Sequence, residues 1–280
     1  MNESSPSLVI ILADYVAPTI GCILSTFTFS APINSLSSAI EAGSLGSLNP
    51  TPWAFMLGNI LGWLAYSYIT LDLFVFFANA PGLLISIWLN TGAMKLQYYE
   101  ELVKRSASTN EDDDAISVQT TKLNNCCQQS TPHELKVLKI ILVWVIILST
   151  TSLVPVSGER MKFIVGVAVN INLIFFYASP LSTIANVVRT KNSASIHFWT
   201  MTMNSTNAFF WCIYSIAIQD IYILIPNGLG LFFGLFQVAL YKWFPRSEAV
   251  DGSDSVAGLS GDCDEELTRR MNRNVQSEIL

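Results

Sequence analysis

Seven separate stretches of this 280-residue chain are apolar over about 20 residues, the length that an α-helix needs to cross the hydrocarbon core of a bilayer. Because backbone polar groups cannot stay unpaired in hydrocarbon, runs of this length predict helices rather than strands or loops. We therefore predict an all-α membrane protein with seven transmembrane helices in contact with lipid. The stretches cover residues 8–32, 52–70, 73–94, 137–154, 163–184, 198–218 and 221–244.

The composition excludes several other classes of protein. Charged residues make up 13 % of the chain, whereas a soluble domain carries about 25 %, so an ordinary soluble enzyme is excluded. The net charge of −6 excludes a nucleic-acid partner, which needs a basic face. The sequence has no glycine-rich phosphate loop, metal-ligand cluster or Ser/His/Asp grouping. We expect neither catalysis nor a cofactor or bound metal.

The distribution of Lys and Arg predicts which way the helices cross the membrane. If the N-terminus lies outside, only Arg160 and Lys162 of the 15 basic residues fall in outer loops. Cytoplasmic loops of membrane proteins carry an excess of Lys and Arg. We predict an outside N-terminus and a cytoplasmic C-terminus, in the plasma membrane or, alternatively, in an endomembrane.

An internal repeat is the strongest signal in the sequence. Each repeat covers three predicted helices, and the helix at 137–154 is left as a linker. A single linker helix keeps the two units in the same orientation, as parallel repeats about an axis along the membrane normal. We predict two parallel three-helix bundles joined by a linker helix, a 3+1+3 arrangement. Seven identical pairs recur at an offset of 148 positions: Pro32 and Pro180, Asn59 and Asn207, Trp63 and Trp211, Tyr66 and Tyr214, Asp72 and Asp220, Asn79 and Asn227, and Gly82 and Gly230.

These predictions divide the chain into five segments. Fifteen of the 21 acidic residues lie between the third and fourth helices or after the seventh. Neither acidic stretch has hydrophobic periodicity, so both are predicted to be disordered. The segments are a first repeat at 1–95, an acidic cytoplasmic loop at 96–136, the linker helix at 137–154, a second repeat at 155–245 and an acidic cytoplasmic tail at 246–280.

Amide and indole side chains are duplicated at membrane depth. In the second helix of each repeat an Asn and a Trp lie four residues apart and share one helix face, and a further Asn follows early in the third helix. Amides offer hydrogen bonds without charge and Trp rings offer flat apolar faces, which suits a neutral sugar. An asparagine can instead bond only a neighbouring helix, but duplication in register favours a shared pocket. The residues are Asn59, Trp63 and Asn79, with Asn207, Trp211 and Asn227.

Two further sets of repeated residues lie near helix ends. Asp72 and Asp220 fall in the outer hairpin turns, where they either cap helices or form an outer gate. Pro32 and Pro180 lie toward the inner ends of helices, where a missing backbone bond permits bending, and Pro52 opens the second helix. The prolines together predict a hinge at the inner mouth.

Four motifs occur in the order and spacing typical of one transporter family. They are Ser179-Pro180-Leu181-Ser182, Val187-Val188-Arg189-Thr190-Lys191, Trp211-Cys212-Ile213-Tyr214 and Ile225-Pro226-Asn227-Gly228-Leu229-Gly230. With the 3+1+3 layout, they make residues 8–245 resemble the SWEET sugar transporters, the eukaryotic seven-helix uniporters of the MtN3/saliva family. The resemblance implies facilitated diffusion of mono- or disaccharides by alternating access, and a tendency to form homo-oligomers.

The resemblance also implies roles for individual residues. The bulk of Phe176 favours hexoses over sucrose. The implied substrate-binding residues are Asn79, Asn227, Trp63, Trp211, Asn59, Asn207, Ser25, Thr28, Leu173 and Phe176. The implied gates are Pro32, Pro52 and Pro180 on the cytoplasmic side and Tyr66 and Asp220 on the extracellular side, where the repeat adds Asp72.

One position departs from the family pattern. Where the family has a fourth gate proline before the sixth helix, this chain has His197. Our hypothesis is that His197 gives the cytoplasmic gate a group that titrates near neutral pH. A solvated loop histidine is the alternative interpretation.

Two other function classes are weighed against a sugar transporter. A seven-helix receptor would lack the repeat in register. A related PQ-loop transporter of another small metabolite, such as an amino acid, would carry Pro-Gln pairs, but the equivalent positions read Ala31-Pro32-Ile33 and Ser179-Pro180-Leu181. A small neutral sugar is the predicted substrate.

Overall fold

A computed structural model describes residues 8–109, 130–153, 157–196 and 198–245. Within these ranges every regular element is a helix, which confirms the predicted all-α class. The first span comprises α1 (Leu8–Ile11), a π-helical turn (Leu12–Val16) and α2 (Ala17–Ser30). The following elements are α3 (Ile33–Ala42), α4 (Thr51–Thr70), α5 (Leu73–Thr109), α6 (Pro132–Leu153), α7 (Gly158–Thr190), α8 (Phe198–Ala217) and α9 (Ile221–Trp243).

Several helices extend beyond the apolar stretches that predicted them. α5 continues to Thr109, and α6 begins at Pro132 rather than at 137. An apolar run reports the thickness of hydrocarbon crossed, whereas good helix formers such as Gln97 and Glu100 continue the helix beyond it. The predicted loop at 96–136 is therefore helical at both ends. Its residues 110–129, and the predicted tail at 246–280, lie outside the described part of the chain.

α3 is a short helix that the sequence did not predict. Pro32 occupies its N-cap position, directly after α2, and Gly43 ends it with a φ of 70°, in the left-handed region that glycine tolerates. Leu36 is fully buried on one face of the helix. The sequence did not predict this helix because polar residues separate its buried positions, so the segment contains no long apolar run.

Four helical stretches in the described residues are long and apolar enough to cross a membrane. Two other predicted spans, α4 and α8, are less apolar because they carry polar side chains such as Asn59 and Asn207. Large apolar side chains such as Leu84 and Ile174 are exposed on the surface, as contact with lipid requires. The four stretches are Leu8–Ala42, Leu73–Lys104, Pro132–Leu153 and Ile221–Trp243.

Contacts between helices recur in the two halves of the chain. α5 packs against both α2 and α4, and α9 packs against both α7 and α8. The halves meet where α2 lies against α8 and where α4 lies against α7. α6 lies against α4, with smaller contacts to α5 and α7. These two seams between the halves position the cavity described below.

A buried histidine joins α6 to the first half of the chain. His133 is 1 % exposed, and its Nε2 lies 2.8 Å from Asn90 Oδ1. Asn90 Nδ2 in turn donates to the carbonyl oxygen of Trp53 at 3.0 Å, and the backbone N–H of His133 donates to Gln97 Oε1 at 3.1 Å. Because buried polar groups need partners, these bonds fix the start of α6 against α4 and α5.

Close packing of α4, α6 and α7 depends on Gly62. A Cβ added at Gly62 would overlap the Trp144 indole in α6 and a methyl group of Val169 in α7. Trp144 and Val169 are both buried. Small residues permit such close approach between membrane helices. The three helices therefore meet at a point that has no room for a side chain.

Gly62→Ala is expected to destabilise the protein by about 1–3 kcal/mol, because Trp144 and Val169 must shift to admit the methyl group. Gly228→Ala in α9 is the matched control, since an added Cβ there meets nothing within 4 Å and alanine is the better helix former. The measurement is the melting temperature of purified protein in detergent. Equal melting temperatures for the two variants would contradict the packing argument.

Candidate substrate-binding cavity

A cavity of about 380 Å³ lies between the two halves of the chain. Its volume falls in the range of small-molecule sites, about 300–1,000 Å³. Of the ten residues implied to bind substrate, Phe176 belongs to α7, but its side chain lies outside the described part of the structure. The other nine line this one cavity: Ser25, Thr28, Asn59, Trp63, Asn79, Leu173, Asn207, Trp211 and Asn227.

Asn79 in α5 and Asn227 in α9 have the same geometry. Asn79 Nδ2 donates to the carbonyl oxygen of Val75 at 2.8 Å, and Asn227 Nδ2 donates to that of Ile223 at 2.8 Å. These bonds to the preceding turn hold both amides in place. Each Oδ1 atom is then an acceptor that a ligand hydroxyl can use.

Two tryptophans form the next layer of the cavity wall. Each packs edge-to-face on the tyrosine three residues later, with centroid distances of 5.6 Å for Trp63 and Tyr66 and 5.9 Å for Trp211 and Tyr214. Trp211 Nε1 also donates to Ser25 Oγ at 3.2 Å. Edge-to-face packing favours these ring orientations, so both indoles present fixed apolar surface to the cavity.

Asn59 and Asn207 occupy equivalent positions but have different surroundings. Asn207 Oδ1 accepts a hydrogen bond from Ser25 Oγ at 3.2 Å. Asn59 is 8 % exposed, and its Oδ1 has no hydrogen-bond partner among the described residues. A buried carbonyl oxygen without a partner is costly. Asn59 lines the cavity, but its Oδ1 is itself covered by protein atoms, so a ligand hydroxyl reaches this oxygen only if the side chain turns.

The cavity wall carries polar groups on a mainly apolar surface, and none of the described lining residues is charged. Among the described residues that line it there is no Asp, Glu, Lys, Arg or His. Its polar groups are amides, hydroxyls and indole nitrogens, interspersed with apolar residues such as Met56 and Ile223. Burying a charge without a partner is costly, so this wall favours a neutral, hydroxyl-bearing ligand.

Two reciprocal tyrosine–aspartate bonds close one end of the cavity, the end where α4 turns into α5 and α8 into α9, here called the hairpin end. Tyr66 OH donates to Asp220, at 2.7 and 2.9 Å from the two carboxylate oxygens. Tyr214 OH donates to Asp72 Oδ2 at 2.9 Å. Each bond joins one half of the chain to the other. Tyr66 is fully buried and Asp220 is 3 % exposed, so this bridge lies away from solvent, and the Tyr214–Asp72 bridge is partly buried.

Both aspartates also cap the helices that follow them. Asp220 Oδ1 accepts from the backbone N–H groups of Tyr222 and Ile223, at 3.0 and 3.3 Å. Asp72 Oδ1 accepts from the backbone N–H of Val75 at 3.0 Å. Capping and bridging between the halves therefore occur together at each aspartate.

A lysine distinguishes the two halves of this closure. Lys162 Nζ lies 2.8 Å from Asp220 Oδ2 and 5.9 Å from the centre of the Tyr66 ring. In the first repeat, the position equivalent to Lys162 is Asp14. The Tyr66–Asp220 contact is thus reinforced by a cation, and the equivalent position beside Tyr214–Asp72 bears an acidic residue.

The prolines predicted to form the cytoplasmic gate belong to the opposite end of the bundle. Pro32 separates α2 from α3, and Pro52 lies in the first turn of α4. Pro180 lies within α7, with its side chain outside the described part, and His197 falls outside that part entirely. Asn204, a lining residue near this end, is exposed. The cavity wall thus becomes more accessible away from the hairpin end.

Sequence reasoning missed part of the lining. Asn204 had a readable signal, because it lies three residues before Asn207 and so shares its helix face. Pro226 and Gly230 belonged to a motif, but the motif did not assign them to the cavity. The other apolar residues had no signal, since an apolar side chain on a membrane helix can face lipid, protein or cavity equally well. The missed residues are Phe29, Met56, Val75, Ala78, Asn204, Ala208, Ile223, Pro226 and Gly230.

Comparison with known proteins finds one family. Its model, described as sugar efflux transporter for intercellular exchange, matches residues 163–249. The chain is 24 % identical over 261 residues to the bidirectional sugar transporter SWEET17 of Arabidopsis thaliana, covering 92 % of this chain and 97 % of that protein. It is 27 % identical over 222 residues to the bidirectional sugar transporter SWEET12 of Oryza sativa subsp. japonica, covering 79 % and 65 %.

A solved structure has the same fold. The structure of a eukaryotic SWEET transporter at 3.7 Å resolution matches with a TM-score of 0.63 and 21 % identity, covering 85 % of this chain and 98 % of that one. The likeness in fold and the apolar helices make the chain a multi-pass integral membrane protein. The family match over residues 163–249, the relatives above and the shared fold together make the chain similar to the SWEET sugar transporters.

Proposed function

We propose that this protein is a uniporter that carries a neutral sugar across a membrane, down its concentration gradient. The observation that carries the proposal is the cavity between the two halves, lined by duplicated amides and tryptophans and by no charged side chain among the described residues. Relatives named as bidirectional sugar transporters support the same activity. Transport of this kind breaks no covalent bond, so the protein acts as a carrier and not as an enzyme.

The lining fits the chemistry of a sugar ring. Hydroxyl groups at the ring edge would pair with the amides of Asn59, Asn79 and Asn227, and the C–H faces would pack on Trp63 and Trp211. A hexose is the preferred substrate in this proposal, since the family resemblance assigns the bulky Phe176 to the substrate-binding residues. Binding is weak, since a uniporter must release the sugar on both sides.

Alternating access would use the two halves as rigid units. In the 3+1+3 arrangement the three-helix repeats rock against each other, with α6 as the linker. The reciprocal Tyr66–Asp220 and Tyr214–Asp72 bonds keep the hairpin end shut while the sugar exchanges at the other end. Those bonds then break as the proline end closes, where Pro32, Pro52, Pro180 and His197 would form the gate.

The proposal includes an orientation. With the N-terminus outside and the C-terminus in the cytoplasm, the hairpin end is extracellular and the proline end faces the cytoplasm. This follows the excess of Lys and Arg on the proposed inner side, and the plasma membrane is the proposed location. The cavity lies within one chain, and the proposal includes homo-oligomers of such chains, as the resemblance implies.

Flux into liposomes tests the proposal. Purified protein in liposomes is expected to take up radiolabelled glucose or fructose with saturation and to show counterflow when the liposomes are preloaded with unlabelled sugar. Neither a proton gradient nor a membrane potential should drive accumulation of the sugar, because none of the described residues that line the cavity is charged. Flux of an amino acid with no flux of any hexose or disaccharide would overturn the proposal in favour of the PQ-loop alternative.

A further inference from the structure

The two seams between the halves of the chain differ in polarity, although the repeat makes them equivalent in position. At the α2–α8 seam the cavity is lined by Ser25 and Asn204. At the α4–α7 seam the equivalent positions, offset by 148 residues, are Leu173 and Met56. One wall of the cavity therefore offers hydroxyl and amide groups where the other offers a branched alkyl chain and a thioether.

The polar groups of the α2–α8 seam form two levels. At the first level, which is nearer the hairpin end, Trp211 Nε1 donates to Ser25 Oγ, and Ser25 Oγ donates to Asn207 Oδ1, each at 3.2 Å. At the second level, Thr28 Oγ1 lies 3.5 Å from Asn204 Oδ1. Three residues along a helix correspond to a rise of about 4.5 Å, so the second level lies nearly one turn farther from the hairpin end.

The second level is held more loosely than the first. The closer partner of Thr28 Oγ1 is the carbonyl oxygen of Leu24, at 3.0 Å, so its 3.5 Å approach to Asn204 is a weak contact. Asn204 is exposed, whereas Asn79 and Trp211 are buried. An accessible amide with a weakly held carbonyl oxygen can exchange that contact for a ligand hydroxyl at little cost.

We propose that Asn204, together with Thr28, forms a polar subsite on one wall of the cavity that binds hydroxyl groups of the sugar and fixes which way round the sugar lies. The proposal rests on the proposed transport of sugar. The opposite wall, with Met56 and Leu173, contacts a less polar edge of the same molecule. The bound sugar is therefore held asymmetrically, and hydroxyl groups on one edge contribute more to recognition than those on the other.

Asn204→Met is the sharpest test, because it installs the residue that the repeat places at the equivalent position, Met56. The sugar concentration at half-maximal counterflow is expected to rise about three- to tenfold, the loss of one ligand hydrogen bond, with a maximal rate within about twofold of wild type. Thr206→Val on the same helix is the matched control. It also removes a polar group, but Thr206 is not among the described lining residues, and it should leave both values unchanged.

Singly deoxygenated analogues of the transported sugar give a second readout. Wild type should transport an analogue that lacks a hydroxyl group facing Asn204 less well than the sugar itself. Asn204→Met should no longer distinguish these two compounds, while its preferences at the other hydroxyl groups stay as in wild type. Asn204→Ala, which also removes the amide, repeats the measurement should the methionine variant be poorly produced. A half-saturation concentration and an analogue profile equal to wild type, in a variant that still transports, would overturn the subsite. Absence of sugar flux in wild type would instead overturn the proposed function.

Discussion

Alanine at position 79 or at position 227 is expected to reduce tracer sugar flux by about tenfold or more, toward the background of protein-free liposomes. Each substitution removes an amide oxygen that the bond to the preceding turn holds available for a ligand hydroxyl. The two asparagines act from opposite halves, so neither can replace the other. Flux is measured at equal amounts of reconstituted protein, with surface expression in cells as a second check on folding.

Asn90→Ala separates the loss of a site from the loss of structure. Asn90 lies in the same helix as Asn79 but bonds the carbonyl oxygen of Trp53 and the ring of His133, outside the cavity. Its removal should lower the melting temperature, because buried polar groups lose their partners. Asn79→Ala and Asn227→Ala should instead melt close to wild type while losing flux. Normal flux in both cavity variants would refute the assignment of these asparagines to the substrate.

Asp220→Ala is expected to open the hairpin end and to destabilise the protein by about 2–4 kcal/mol. The change removes the acceptor of Tyr66 OH, the caps of two backbone N–H groups and the partner of Lys162. Because the Lys162 side chain is 36 % exposed, solvent takes over part of that last contribution. Asp72→Ala should be milder, since among the described residues the Asp72 side chain bonds only Tyr214 and one backbone N–H.

Labelling of an introduced cysteine reports the opening directly. Ala78→Cys, placed in a cysteine-free background, lies in the cavity wall on α5. A membrane-impermeant thiol reagent added from the hairpin side should label it faster in Asp220→Ala than in Asp72→Ala, and faster in both than in the parent. Asp220→Asn keeps an oxygen for Tyr66 and the caps, and should lie between parent and Asp220→Ala. Equal labelling in all four proteins would contradict the role of these aspartates in closure.

Much of the fold followed from apolar length and periodicity. Each of the seven apolar stretches corresponds to a helix, because a chain in hydrocarbon must bond its backbone internally. The positions where helices end could not be predicted in this way, since α5 continues to Thr109 beyond its apolar stretch. The helix α3 was not predicted either, because it lies outside any apolar stretch. Beyond the hydrocarbon the same constraint no longer applies, and packing and helix propensity decide where a helix stops.

The candidate cavity, too, could be predicted from the sequence only in part. Asn59 with Trp63, and Asn207 with Trp211, could be placed on shared helix faces because a spacing of four residues has a fixed geometric meaning. Their convergence on one space depends on how the helices pack, which sequence spacing does not encode. Asn204 shared the face of Asn207 and could have been included on that argument.

Local periodicity and the 148-residue repeat were sufficient to establish what recurs in this chain: a three-helix unit with amides and indoles in equivalent places. The contacts between the two units could not be predicted from the sequence. Tyr66 could have bonded Asp72 of its own half, but it bonds Asp220 of the other. On the α2–α8 wall Ser25 and Asn204 are polar, whereas the equivalent residues of the α4–α7 wall, Leu173 and Met56, are apolar. A contact between distant residues is set by the packing of whole helices, since many local sequences are compatible with either partner, and so these features became visible only in the assembled bundle.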